Sequence, residues 1–239
     1  MKKWTGLLIG THVFAPLPLA LLIFAYFTNK LTVNPVQAAT QRLGDTALVM
    51  LILSLACTPV NTLIGLPEVI RLRRPLGLYA FFYATLHILA YVGWDYSFHF
   101  NEIGSQLSGK PYLIVGMAAL AILVPLAITS SDYWKKRLGK GWKRLHRFVY
   151  LSAVLAVLHL ALIIKGSLFR LAGDIAKPLT AGIVLAVLLF MRIPPVRRIL
   201  SNVRFLRRSR RIAAIEQRNS NQFHTDKTQL DGVKKLKRK

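Results

Sequence analysis

The sequence predicts an all-α fold: a polytopic membrane bundle of six transmembrane helices with both termini on the cytoplasmic side. Three observations carry that prediction. Hydrophobic residues make up 54% of the 239-residue chain and mean hydropathy is +0.43, above the roughly 45–50% apolar content of a soluble domain. The apolar residues are gathered into six runs of about 20 residues, each enough to cross roughly 30 Å of hydrocarbon. Lysines and arginines, finally, alternate between the ends of successive runs.

The first run, Leu7–Phe27, carries Pro16 and Pro18, so a kink is expected near its middle. Met1-Lys2-Lys3 before it and Val36-Gln37-Ala38 after it imitate a secretion signal. The run exceeds the roughly 7–15 residues of a signal core, and the cleavage-like site lies too far beyond it. It is therefore expected as an uncleaved span. The second run, Asp45–Leu66, contains Cys57, the one cysteine. A lone cysteine excludes an intrachain disulfide and a cysteine-based metal centre, and Cys57 reads as a small packing residue.

Glu68–Arg74 is expected as a tight basic turn, with Pro75 opening the third run, Pro75–Phe98, because proline suits a first helical turn. A polar stretch from His99 to Lys110 leads to the fourth run, Pro111–Ser130. A loop mixing basic and aromatic residues, from Tyr133 to Arg144, precedes the fifth run, Arg144–Lys165. The sixth is Ala176–Ile193. Trp4, Trp94, Trp134 and Trp142 all fall at run ends, where amphipathic rings prefer the headgroup level. No period of 20–50 residues marks a repeat array, and no two halves share a repeated hydropathy pattern. Residues 1–198 thus form one membrane domain. Residues 199–239 form a basic cytoplasmic tail, partly disordered, able to begin as an amphipathic helix on anionic lipid.

Net charge is +24, a value that can signal nucleic-acid binding. Its placement argues for topology instead. Twelve basic residues fall on one side, Lys2 and Lys3 together with the ten in the clusters Arg71–Arg74 and Lys135–Arg147, and six fall on the other. The fifteen from Arg192 onward join the first side when the spans number six, as the positive-inside rule requires. No nucleic-acid recognition motif accompanies the charge.

Three histidines lie within these runs: His87, His146 and His159. Ionisable side chains inside a membrane line pathways or hold cofactors, and imidazole is a common axial ligand of haem iron. At 1.5 Å per residue His87 sits about 18 Å deep and His159 about 22 Å, whereas His146 is only about 3 Å deep. His87 and His159 are therefore a level pair on two helices, as a haem held from both faces needs. His146 lies about 140° around an ideal helix from His159. Either the helix is distorted between them, or they face different parts of the bundle, or one is no ligand. Fourteen residues before His87 stands Arg73, a poor iron ligand but a good partner for haem propionates or a flavin phosphate. His12, near the inner end of the first run, is a further candidate. His99 and His224 lie in polar segments and read as solvated. A proton pathway is disfavoured because the runs lack mid-membrane carboxylates.

Arg73-Arg74-Pro75-Leu76-Gly77-Leu78-Tyr79-Ala80-Phe81-Phe82-Tyr83-Ala84-Thr85-Leu86-His87 resembles the MsrQ family, the haem-binding membrane subunits of a periplasmic methionine sulfoxide reductase system. So do Lys110-Pro111-Tyr112, Leu126-Ala127-Ile128-Thr129-Ser130, Leu158-His159 and, most strongly, the stretch Gly141-Trp142-Lys143-Arg144-Leu145-His146-Arg147-Phe148-Val149-Tyr150-Leu151. The likeness covers runs three to five and weakens in the others. It places the chain in the ferric-reductase-like transmembrane group. It implies a bacterial inner-membrane electron carrier with one or two b-type haems and associated FMN, and iron ligands at His87, His146 and His159. It further implies electrons taken from the quinone pool or a cytoplasmic flavin reductase. The acceptor would be a periplasmic molybdopterin enzyme of the MsrP type, which reduces the sulfoxide itself, so no catalytic residue is expected here. The basic tail past about Ser209 is longer than the family pattern. Two other readings stand beside this one: another ferric-reductase-like haem reductase, and a non-haem transporter. The first usually carries a fused nucleotide domain, and the chain has no G-x-G-x-x-G motif.

Overall fold

The computed structural model of the protein describes residues 2–107, 109–163, 175–196 and 198–200. Among them every element is helical. The fold is a membrane bundle, and its outer surface says why: Ile9, Phe14, Phe27, Leu89, Val187 and Phe190 are all exposed. So much apolar surface is stable only against lipid.

The first span is broken as its prolines require. Helix α1 (Lys2–Phe14) gives way at Ala15-Pro16 to α2 (Leu17–Phe27). The break is closed by Tyr83, whose hydroxyl donates to the Ala15 carbonyl at 2.7 Å and accepts from Leu19 N at 3.3 Å. Helix α3 (Pro35–Ile64) begins ten residues before the expected Asp45. Asn34 caps it, its side chain accepting from Gln37 N at 3.1 Å, and Pro35 takes the first helical position. This cap-and-proline pair is a strong start signal, which outweighs the polar residues up to Arg42. Gly65, at φ 79°, ends α3 in the left-handed region, where glycine is favoured.

Helix α4 (Pro67–Ala90) also starts early. The expected basic turn Glu68–Arg74 is helical, because Pro67 takes the opening position and Pro75 lies inside the helix. A π-helical turn, Tyr91–Asp95, prolongs α4. The polar stretch that follows contains α5 (Phe100–Leu107), and α6 (Pro111–Ile128) is the fourth span. The basic-aromatic loop is helical too: α7 (Asp132–Leu138) and α8 (Lys140–Leu145) turn at Gly139, φ 50°. A 3₁₀ turn, His146–Phe148, joins α8 to α9 (Val149–Ile163).

Helix α10 (Ala176–Phe190) is shorter than expected, and the helical segment Pro194–Leu200 bends away from it by 71°. Five helical stretches are long and apolar enough to cross a membrane, and this bent pair makes a sixth when counted as one. Apart from Ile199 and Leu200, the basic tail lies outside the described residues, as does His224.

The bundle is organised as two helix pairs. α3 packs along α4, and α6 along α9; α10 covers α9 and α3, while α1 lies on α4. Small residues permit the close approach: Ala39, Ala80, Ser152 and Ala153 are at most 1% exposed. In lipid, such residues replace a hydrophobic driving force with close packing and hydrogen bonds. Ser152 illustrates both, its hydroxyl donating to the Ala119 carbonyl across α9 and α6 at 2.9 Å. Among the described residues, ion pairs tie span ends together, Asp45 with Lys177 at 3.5 Å and Arg74 with Asp132 at 3.4 Å. Each joins ends that the charge alternation assigns to one face.

Candidate functional site

Each helix pair contributes one histidine built into the same local frame. On α4, His87 Nδ1 lies 2.8 Å from the Thr40 carbonyl of α3. On α9, His159 Nδ1 lies 2.7 Å from the Tyr112 carbonyl of α6. A carbonyl oxygen only accepts, so Nδ1 carries the proton in both rings and Nε2 is left with its lone pair. This is the tautomer that a metal-binding imidazole with a fixed outer partner adopts. A glycine faces each ring. A Cβ on Gly44 would stand 3.0 Å from His87 Nδ1, and one on Gly116 would stand 2.7 Å from His159 Nδ1.

The two frames have equal spacing: each carbonyl lies 47 residues before its histidine, with the glycine four residues after the carbonyl. The structure therefore contains two like halves, α3–α4 and α6–α9, that the hydropathy pattern did not announce. Thr40, Gly44 and Gly116 carried no signal as single residues. The matched Thr40–Gly44–His87 and Tyr112–Gly116–His159 spacing was their only trace in the sequence.

The two halves bring His87 and His159 together. Their ring centroids are 6.1 Å apart and their planes nearly perpendicular, at 83°. Two imidazoles binding one metal from opposite sides, with bonds of about 2 Å and half-rings of about 1 Å, would stand about 6 Å apart. Among the described residues no third histidine, cysteine or carboxylate joins them to make a metal cluster. Two imidazoles and no third protein ligand suit a metal that brings its own equatorial donors, as a haem does.

His146 belongs to a different place and a different hydrogen-bond pattern. Its Nε2 lies 3.2 Å from Thr129 Oγ1, and that hydroxyl donates to the Pro125 carbonyl at 2.6 Å. With its single proton spent there, the threonine accepts from His146, whose proton thus sits on Nε2. The ring also rests on Trp142, centroids 4.1 Å apart, and Trp142 in turn donates to the Thr129 carbonyl at 2.9 Å. The helix is distorted at His146, which opens a 3₁₀ turn ahead of α9, and 3₁₀ turns are tighter than α turns.

Arg73 lies on the same flank as His146, within electrostatic range of it. Its backbone carbonyl accepts from Ser54 Oγ at 2.8 Å. A second arginine, Arg192, reaches the neighbouring Leu55 carbonyl at 2.6 Å and the Tyr150 hydroxyl, and its buried Nε has no partner. Positive charge therefore gathers on this flank without a carboxylate bound to either arginine among the described residues. His12 is elsewhere: exposed, with Nδ1 2.9 Å from the Tyr79 hydroxyl. His99 is also exposed, its Nδ1 2.9 Å from the Tyr96 carbonyl. Cys57 is buried and donates to the Leu53 carbonyl of its own helix.

Residues 43–157 match the family model described as "Ferric reductase like transmembrane component". That range contains His87 and His146 and stops just short of His159. Several relatives bear the name "Protein-methionine-sulfoxide reductase heme-binding subunit MsrQ". The one from Rhodospirillum rubrum is 42% identical over 80% of this chain and 89% of its own length. Those from Caulobacter vibrioides and Xanthomonas axonopodis pv. citri are 37% and 40% identical, each over 76% of this chain and 83% of the relative.

Proposed function

Because this chain belongs to the MsrQ family, we propose that it is the haem-binding membrane subunit of a methionine sulfoxide reductase system, holding haem b between His87 and His159. The observation that carries this reading is the 6.1 Å pair of imidazoles, each with Nδ1 fixed on a backbone carbonyl. The residues fit the group in three ways. The free Nε2 atoms are the liganding ones, the glycines Gly44 and Gly116 leave room for each ring to be held upright, and the surrounding bundle is apolar. Haem, when bound, supplies a one-electron iron couple whose potential the axial ligands and burial set. His87 and His159 hold and orient it, and Thr40 and Tyr112 lock the two rings and raise their basicity.

The inner flank, with Arg73 and His146, is the second cofactor region in this reading. It takes an anionic group, a flavin phosphate or the propionates of a second haem, on its guanidinium charge. Electrons enter from the quinone pool or a cytoplasmic flavin reductase. They leave to a periplasmic molybdopterin enzyme of the MsrP type, where the sulfoxide is reduced. Both termini face the cytoplasm of a bacterium, and the spans lie in its inner membrane.

A reduced-minus-oxidised visible spectrum of the purified protein tests the core of this proposal. A b-type signal is expected, lost in His87→Ala and in His159→Ala. No haem signal in the parent, or full retention in both variants, would overturn it. Electron delivery is tested by mixing the reduced protein with a periplasmic sulfoxide reductase; failure to reoxidise would point to another acceptor.

A further inference from the structure

Helix α8 and the 3₁₀ turn after it have two opposed faces. At about 100° per residue, Lys140, Lys143, Arg144 and Arg147 fall within an arc of about 100°, and all four are exposed. Trp142, Leu145 and His146 fall on the opposite arc and are half-buried. That inward face is anchored. Trp142 rests on His146, centroids 4.1 Å apart, and donates at 2.9 Å to the carbonyl of Thr129, the residue that follows α6. Helix α7 closes on the same ring, with Lys135 Nζ 5.7 Å from the Trp142 centroid. It is tied to α4 in turn through Asp132 and Arg74. The cationic stripe is therefore held at the membrane edge, between the end of α6 and the start of α9.

The positive-inside rule accounts for many cations in such a segment. It does not account for their gathering on one face of a helix. Lys140 with Arg144, and Lys143 with Arg147, are like charges four residues apart, which repel and weaken a short helix. A layer of anions against this face offsets that repulsion. The neighbouring exposed side chains indicate the kind of anion. Tyr133 and Phe148 are 62% and 51% exposed. Exposed rings are costly on a water-facing surface and favoured at the headgroup level, and cations mixed with such rings suit an anionic lipid surface. Lysine and arginine can also lay their apolar stems along lipid while their charged heads reach phosphate. We propose that Lys140, Lys143, Arg144 and Arg147 form a binding site for the phosphates of anionic phospholipids.

The test reconstitutes the full-length protein in phosphatidylcholine vesicles that carry a trace of spin-labelled phosphatidylglycerol or spin-labelled phosphatidylcholine. The share of each label immobilised on the protein gives its lipid preference. The parent is expected to prefer the phosphatidylglycerol label, and to lose that preference as salt is raised. Lys143→Gln and Arg144→Gln should each lower it by up to about fivefold, while Lys143→Arg keeps it. Lys136→Gln is the control: it removes an exposed cation of α7 that lies off the stripe, and should have a smaller effect. No preference in the parent, or a preference unchanged in Lys143→Gln and Arg144→Gln, would overturn the proposal. An equal loss in Lys136→Gln would overturn it too, since the attraction would then be diffuse charge rather than a site. If the stripe variants kept the lipid preference but were reduced more slowly by a cytoplasmic flavin reductase, the stripe would be a protein-docking surface instead.

Discussion

Gly116 stands so close to His159 that a Cβ in its place would lie 2.7 Å from Nδ1 and 2.8 Å from Cε1. The imidazole is held at this same edge by the Tyr112 carbonyl, one turn earlier on α6, so moving it away from a Cβ at position 116 strains that bond. Gly116→Ala is therefore expected to displace the ring, and loss of an outer-shell contact of this kind typically costs about 10- to 100-fold in metal affinity. Gly44 is less tight, at 3.0 Å from His87 Nδ1, so Gly44→Ala should retain more haem. Haem content per polypeptide, measured side by side, checks the order. Equal retention would mean that the rings are not held as described.

His146 should behave unlike the other two histidines. Its Nε2 proton is engaged by Thr129, whereas His87 and His159 leave Nε2 free. His146→Ala is expected to leave the low-spin bis-histidine signal of the His87–His159 haem in place, visible by electron paramagnetic resonance. Any change should appear in a second cofactor. Thr129→Val, which frees the imidazole but keeps its ring, should likewise spare that signal. Loss of the signal in His146→Ala would make His146 part of the first site.

These contrasts mark what the residues announced and what they did not. The membrane bundle was legible because apolar runs and charge alternation reflect the bilayer directly. The level of His87 and His159 was legible because helical rise is regular. The second half of each frame was not, since a backbone carbonyl has no residue signature and a glycine beside an imidazole looks like any helical glycine. Helix starts were misplaced at Asp45 and Pro75 because hydropathy marks the hydrocarbon while the caps Asn34-Pro35 and Leu66-Pro67 mark the helix. The offset of His146 from His159 was visible as a conflict with ideal geometry; in the structure a 3₁₀ turn stands at His146–Phe148 and the two rings meet different partners, Thr129 and Tyr112.

Tyr83 offers a test of the fold independent of any cofactor. It is 0% exposed, and its hydroxyl serves the Ala15 carbonyl and the Leu19 amide at the proline break. Tyr83→Phe keeps the ring and removes the hydroxyl, leaving a buried carbonyl unpaired at a cost of about 1–3 kcal/mol. Thermal unfolding of the protein in detergent should show a lower Tm than the parent. An unchanged Tm would mean that the break is satisfied by other groups.

Topology can be settled by two single cysteines in a Cys57→Ser background. The ion pairs Asp45–Lys177 and Arg74–Asp132 tie span ends at two faces, so the six-span alternation is internally consistent. Which face is cytoplasmic rests on charge: the cluster from Lys135 to Arg147 is the densest basic stretch between spans, and translocating it is unfavourable. Thr32, in the turn between α2 and α3, belongs to the opposite face. In intact spheroplasts a membrane-impermeant maleimide should label Thr32→Cys at once, and Lys136→Cys only after permeabilisation. The reverse order would invert the bundle, putting the Lys110 flank on the cytoplasmic side and the Arg73 flank outside. An electron donor in the cytoplasm would then have to meet the Lys110 flank, and the proposed direction of transfer would fall with it.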